Sequence, residues 1–138
     1  MDWGERRIGL AVSDPEGIIA IGLETLEVRG RAEAVVQVAA RATELEAERI
    51  VVGLPLLMSG ARGTAAATAQ SFADALAAAV AVPVETYDER LTSTISQRRL
   101  REMGVRRTGH RRGRVDQGAA VVLLESYLLR LQARREEG

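Results

Sequence analysis

The chain has 138 residues, 46% hydrophobic and 28% charged, a length that suits one domain over 1–138 and a composition that excludes a disordered or fibrous chain. It holds no cysteine, which excludes disulfides, zinc–thiolate sites and cysteine catalysis. At 3% aromatic residues it lacks the exposed rings on which RNA-recognition motifs stack bases.

The formal charge is zero, from 19 basic and 19 acidic residues, but every basic residue is arginine and eight of them fall between Arg98 and Arg114 against one acid, Glu102. That segment is a strongly positive patch on a neutral chain. Nothing approaches the roughly 18 consecutive apolar residues that span a bilayer. Asp2 follows Met1 directly, without a secretory-type segment, so a cytoplasmic protein without membrane partners is expected.

Two β-branched-rich runs, 8–13 and 18–23, flank Asp14-Pro15-Glu16-Gly17. Pro and Gly stand there at the second and fourth places of a type I turn, which predicts a hairpin. Gly4-Glu5-Arg6-Arg7 reads as an earlier turn, making Asp2 and Trp3 the tail of a first strand. Over 31–48 the residues Val35, Val38, Ala42 and Leu45 recur at helical spacing, and Ile50-Val51-Val52-Gly53-Leu54 follows as a buried-type strand.

A helix over 64–80, with Phe72, Leu76 and Val80 on one stripe, leads to a strand over 82–87 whose start holds Pro83. Thr92 is placed to cap a helix carrying Ile95, Leu100 and Met103, closed by Gly104. An Arg- and Gly-rich loop over 105–114 and a long helix over 115–135 complete the chain. The order predicts an α/β fold: a mixed five-stranded sheet, an antiparallel three-stranded meander extended by two parallel strands, flanked by helices.

Ligand sites in such sheets open beyond the carboxyl ends of the parallel strands. Asp88 and Glu89 stand at that end of the 82–87 strand, and Asp2 belongs to the first strand. Asp116 shares a helical stripe with Ala120, Leu123, Leu124 and Tyr127, so its carboxylate must be paired, protonated or bound to a cation. Acids from separate segments converging beside an Arg-rich loop suit Mg²⁺ or Mn²⁺, which take hard oxygen ligands.

Each residue also has an ordinary structural use. Asp2 can be a solvated end, Asp88 a turn acid, Glu89 a first-turn acid and Asp116 a helix cap. The arginines can pair with Glu136 and Glu137. His110 reads as an exposed residue, Trp3 and Tyr87 as packing residues, and the loop over 53–63 as either a lid or an idle connection.

The motifs Asp2-Trp3-Gly4-Glu5-Arg6-Arg7-Ile8-Gly9-Leu10-Ala11-Val12-Ser13-Asp14, Val52-Gly53-Leu54-Pro55-Leu56, Asp88-Glu89-Arg90-Leu91-Thr92-Ser93 and Asp116-Gln117-Gly118-Ala119-Ala120 together resemble the YqgF/RuvX family. That family is RNase H-like and related to the RuvC Holliday-junction resolvases. The resemblance implies an RNase H-like fold and a metal-dependent nuclease in which Asp2, Glu89 and Asp116 are the catalytic, metal-binding acids. Leu57 stands where the family usually has Asn, and Arg fills places in the basic loop where Lys is common.

The expected function is Mg²⁺- or Mn²⁺-dependent phosphodiester hydrolysis in 5′-end maturation of pre-16S rRNA, with resolution of branched DNA as the alternative. Arg6, Arg90, Arg106, Arg107, Arg111, Arg112 and Arg114 are the expected nucleic-acid contacts, since guanidinium groups take phosphates bidentately. A homodimer would suit a resolvase, which must cut two strands. A binding module that has lost catalysis is a rival reading, weakened because all three acids remain. An actin-like ATPase, which needs two copies of such a fold, is weaker still.

Overall fold

Leu23 and Leu26 stand three residues apart, yet both pack on the cluster that contains Ile8 and Leu10. Strict strand alternation forbids that, because residues on one face are two or four apart. The computed structural model, which describes residues 2–3, 6–56, 59, 61, 63–92 and 112–137 and the side chains of all of these but 2–3, 112–117 and 135–137, resolves the conflict with a bulge. Ile8 pairs with Leu26, whereas Ala11 pairs with Gly22. The two residues Gly9 and Leu10 therefore oppose three, Leu23, Glu24 and Thr25.

The bulge splits the strand expected over 8–13 in two, and it separates the return strand into one piece within the expected 18–23 and a further piece at 26–27. Strands β1 (Asp2–Trp3), β2 (Arg7–Gly9) and β5 (Leu26–Glu27) form one antiparallel ladder, while β3 (Ala11–Ser13) and β4 (Ala20–Gly22) form another. A hydrogen bond of 2.9 Å from the Leu23 amide to the Leu10 carbonyl bridges them. At the hairpin tip the Gly17 amide bonds the Asp14 carbonyl at 3.0 Å, as the expected turn requires. Gly17 has φ +73°, a backbone state that favours glycine.

The second half alternates helix and strand as expected, in α1 (Arg31–Glu44), β6 (Ile50–Leu54), α2 (Thr64–Ala79) and β7 (Val84–Asp88). β6 and β7 pair in parallel, from Ile50 opposite Val84 to Leu54 opposite Asp88. The ladder starts at Val84 rather than at position 82 because Pro83 has no amide hydrogen to give; its carbonyl still accepts from the Ile50 amide at 3.0 Å. α1 stops at Glu44, short of the expected 48, in a left-handed residue, Glu46, with φ 54°. The 3.0 Å bond from the Ala47 amide to the Ala42 carbonyl and the 3.1 Å bond from the Glu46 amide to the Thr43 carbonyl close a Schellman motif there.

Every residue of β6 is buried, and its alternation assigns its two faces. Ile50 and Val52 join Ala34 and Val38 of α1 and Phe72, Ala73 and Leu76 of α2, and Leu54 packs on Ala66 and Ala69. On the other face Val51 and Tyr87 meet Leu123 of α3 (Arg112–Glu137). α3 begins three residues before the expected 115, so the backbones of Arg112 and Arg114 are helical rather than part of a loop. α3 also lies against β1, β2, β3 and β4.

The helix expected after Thr92 lies outside the described residues beyond a 3-10 turn, Glu89–Thr92. Among the described residues no helix is long and apolar enough to cross a membrane.

Candidate active site

β7 runs directly into the 3-10 turn, so Asp88 ends the strand and Glu89 begins the turn. Two local devices fix this junction. The Asp88 carboxylate accepts from the Arg90 amide at 2.9 Å and from the Arg90 guanidinium at 2.7 Å, 3.0 Å and 3.1 Å. The hydrogen-bonded guanidinium, aided by the amide, holds the Asp88 carboxyl below the usual aspartate range against the opposing effect of burial. The Thr92 hydroxyl donates to the Glu89 carbonyl at 2.6 Å and closes the turn on itself.

A third device ties the turn to α3. The Ser126 hydroxyl lies 3.3 Å from the Leu91 carbonyl, to which it donates, and 2.7 Å from the Tyr87 hydroxyl. Since serine has one proton to give, Tyr87 is the donor in their shared bond. Tyr87 is thus a packing residue, as expected. Its ring meets Tyr127 edge-on with centroids 5.7 Å apart.

Glu89 shares strand parity with Glu85 and Tyr87, and it lies on the α3 side of the sheet. Its half-buried carboxylate sits over Gly53 of β6. A Cβ on Gly53 would stand 2.6 Å from Glu89 Oε1 and 3.2 Å from its Cδ, and closer still to Leu123 Cδ1. The carboxylate therefore occupies the space that any other residue at 53 would fill. The sequence placed Gly53 in the buried-type strand, in a family motif and at the start of a loop, without a role at the site. The signal available was a glycine inside a five-residue buried strand, which often marks a close approach.

Among the three expected acids, Glu89 alone has a described side chain. The backbone of Asp2 pairs with Gly9, and β1 lies against both β6 and α3. The backbone of Asp116 is in the first part of α3, one turn before Ala120 and two before Leu123, which are buried, as the apolar stripe requires. α3 in turn lies against the 3-10 turn that carries Glu89. α3, which bears Asp116, thus neighbours both the strand of Asp2 and the turn of Glu89. Among the described side chains no group of three acids or histidines stands close enough to hold an ion.

Of the expected nucleic-acid contacts, Arg6 is exposed beside β2 and Arg90 is engaged with Asp88. Arg112 and Arg114 lie in α3. Arg106, Arg107 and Arg111 lie outside the described residues, as do His110 and Leu57.

A second polar cluster joins the same sheet face to α3 near the start of β7. The Tyr127 hydroxyl donates to Glu85 Oε2 at 2.5 Å and accepts from Arg49 at 2.7 Å. Burial, then the bond to Glu85, raises the Tyr127 pKa above the usual tyrosine value, so the phenol stays protonated. Ile50 and Val84, beside these residues, begin the parallel ladder, so the cluster is at the opposite end of the strands from Glu89 and serves to fasten α3.

Helices cover both faces of the β6–β7 ladder and an acid stands at its carboxyl end, which places the chain in the α/β class whose ligand sites open at strand ends. Within that class it belongs to the RuvX family, described as Holliday junction resolvase, which residues 1–130 match. A protein of Chloroflexus aggregans named "putative pre-16S rRNA nuclease" is 45% identical over 128 residues, covering 93% of this chain and 89% of its own. A protein of Anaeromyxobacter dehalogenans with the same name is 45% identical, with 93% of each chain covered. A third, from Chloroflexus aurantiacus, is 42% identical over 93% of this chain and 83% of its own.

Proposed function

We propose that the chain is a Mg²⁺- or Mn²⁺-dependent nuclease that hydrolyses phosphodiester bonds in 5′-end maturation of pre-16S rRNA. The observation that carries this reading is the Glu89 carboxylate at the carboxyl end of two parallel strands, seated over Gly53, with the helix bearing Asp116 against its turn and the strand bearing Asp2 against that helix and β6. The names carried by relatives 42–45% identical support the substrate class. We read the ladders as parts of one RNase H-like, five-stranded mixed sheet, since β1 lies against β6, and residues 1–138 as one domain.

The donor set fits the ions. Asp2, Glu89 and Asp116 offer only carboxylate oxygens, which suit hard cations, and the neighbouring Asp88 already has its charge matched by Arg90. Bound Mg²⁺ or Mn²⁺ would acidify the attacking water and offset charge on the leaving oxygen. Asp2, Glu89 and Asp116 would hold the ions. Arg6, Arg106, Arg107, Arg111, Arg112 and Arg114 would bind phosphates and orient the strand. Arg90 would do so beside its pairing with Asp88. This division of labour needs no serine or histidine nucleophile. We place the reaction in the cytoplasm.

The family's own description, Holliday junction resolvase, favours a second reading, resolution of four-way DNA junctions, which a homodimer would suit. One experiment separates them: purified protein with Mn²⁺, Mg²⁺ or EDTA, given a labelled four-way junction and an RNA bearing the 5′ extension of 16S rRNA. Metal-dependent cutting of the RNA alone supports maturation, and paired symmetric nicks in the junction support resolution. Cleavage of neither would overturn both in favour of a binding module. Asp2→Asn, Glu89→Gln and Asp116→Asn are each expected to abolish cleavage while leaving substrate affinity in place; unfolding of Asp116→Asn would instead mark that residue as a helix cap.

A further inference from the structure

We propose that Gly53 is a positioning residue for the metal site, acting through Glu89: the missing side chain at 53 is the seat that fixes where the Glu89 carboxylate lies. The inference rests on the reading of Glu89 as a metal ligand and adds a residue from a different strand to that site.

The geometry is specific. Gly53 opposes Tyr87 in the parallel ladder, two residues before Glu89, and both Gly53 and Glu89 lie on the sheet face covered by α3. A methyl group at 53 would come within 2.6 Å of Glu89 Oε1 and 3.2 Å of its Cδ, well inside the separation of about 3.5 Å at which non-bonded atoms rest. The backbone of β6 cannot retreat, because it is hydrogen-bonded to β7 and buried on both faces. The carboxylate must move instead. Glu89 cannot carry its backbone along, since the Thr92 hydroxyl and the neighbouring Asp88–Arg90 pair hold the turn. A rotated side chain then aims its oxygens away from their former place. Displaced ligand orientation costs metal affinity and rate.

The test uses the full chain and Mn²⁺, with affinity read by electron paramagnetic resonance and cleavage read separately. Glu89→Gln is expected to weaken Mn²⁺ binding by roughly tenfold or more, and Gly53→Ala by roughly tenfold. Gly53→Ala should lower kcat with KM for nucleic acid unchanged. In the Glu89→Gln background Gly53→Ala should cost no further Mn²⁺ affinity, because its effect passes through the carboxylate.

The methyl group would also press on Leu123, so Gly53→Ala/Leu123→Ala, which makes room on that side, covers a folding failure of the single variant. It should still bind Mn²⁺ weakly, measured against Leu123→Ala. Wild-type affinity in Gly53→Ala, an equal loss with and without Glu89, or recovery of affinity in the double variant would each overturn the proposal. Unchanged Mn²⁺ binding by Glu89→Gln would overturn the metal reading itself, a distinguishable outcome.

Discussion

The Tyr87 and Ser126 hydroxyls lie 2.7 Å apart in the interior and tie β7 to α3, thirty-nine residues further along the chain. Ser126→Ala strips the buried phenol of its acceptor and the Leu91 carbonyl of its donor. An orphaned buried hydroxyl costs about 1–3 kcal/mol, so Ser126→Ala is expected to lower stability by that amount in urea denaturation. Tyr87→Phe removes the orphan along with the bond and should cost about 1 kcal/mol or less. A larger loss for Tyr87→Phe than for Ser126→Ala would contradict the assignment of donor and acceptor.

Asp14 gives a pH-dependent counterpart at the hairpin tip. Its Oδ1 accepts from the Ile18 amide at 2.7 Å and the Ile19 amide at 2.8 Å. These two amide bonds, Ile19 first, hold its pKa below the usual aspartate value. A depressed folded-state pKa means a contribution fully present above the ordinary value and lost as pH falls through the depressed one. The stability difference between the native chain and Asp14→Asn is therefore expected to be constant near neutral pH and to shrink as pH drops through the acidic range below the usual aspartate value. A difference that grows on acidification would refute it.

Element types were largely legible in the sequence, because residue periodicity reports the buried face. The all-apolar run Ile50–Leu54 became β6 at the expected bounds, and the stripe through Ala120, Leu123 and Tyr127 does face the sheet. Two features were not legible. The bulge opposite Gly9 and Leu10 depends on which of Leu23 and Leu26 is drawn into the core, and both are; only the packed cluster decides that. The end of α1 at Glu44 carries no glycine to announce it.

At the site, the importance of Glu89 followed from its place after a parallel strand. Its seat on Gly53 depends on the register of β6 against β7, which no local pattern encodes.

The arginine segment gives a prediction for binding. If about five of Arg90, Arg106, Arg107, Arg111, Arg112 and Arg114 neutralise phosphates, log affinity should fall against log salt with a slope of roughly −4. Replacing one of them by Ala should make the slope shallower by about 1, with little dependence on sequence. Fluorescence anisotropy between low and physiological salt measures both. A slope near zero would show that these arginines are engaged within the protein.

Glu46 offers a substitution expected to stabilise. It occupies the left-handed position of the motif that ends α1, φ 54°, where its Cβ crowds the backbone at a cost of roughly 1–2 kcal/mol relative to the right-handed state. The 3.0 Å bond from the Ala47 amide to the Ala42 carbonyl and the 3.1 Å bond from the Glu46 amide to the Thr43 carbonyl hold it there, and glycine would keep both bonds without the crowding. The opposing effect is entropic, since glycine gives the unfolded chain more freedom, worth about 0.4–1 kcal/mol. The steric gain is the larger, and Glu46 is exposed with no ion pair among the described residues. Glu46→Gly is therefore expected to raise stability by about 0.5–1 kcal/mol in chemical denaturation, whereas Glu46→Val, branched at Cβ, should lower it. Destabilisation by both would mean that the chain leaves α1 by a different backbone path.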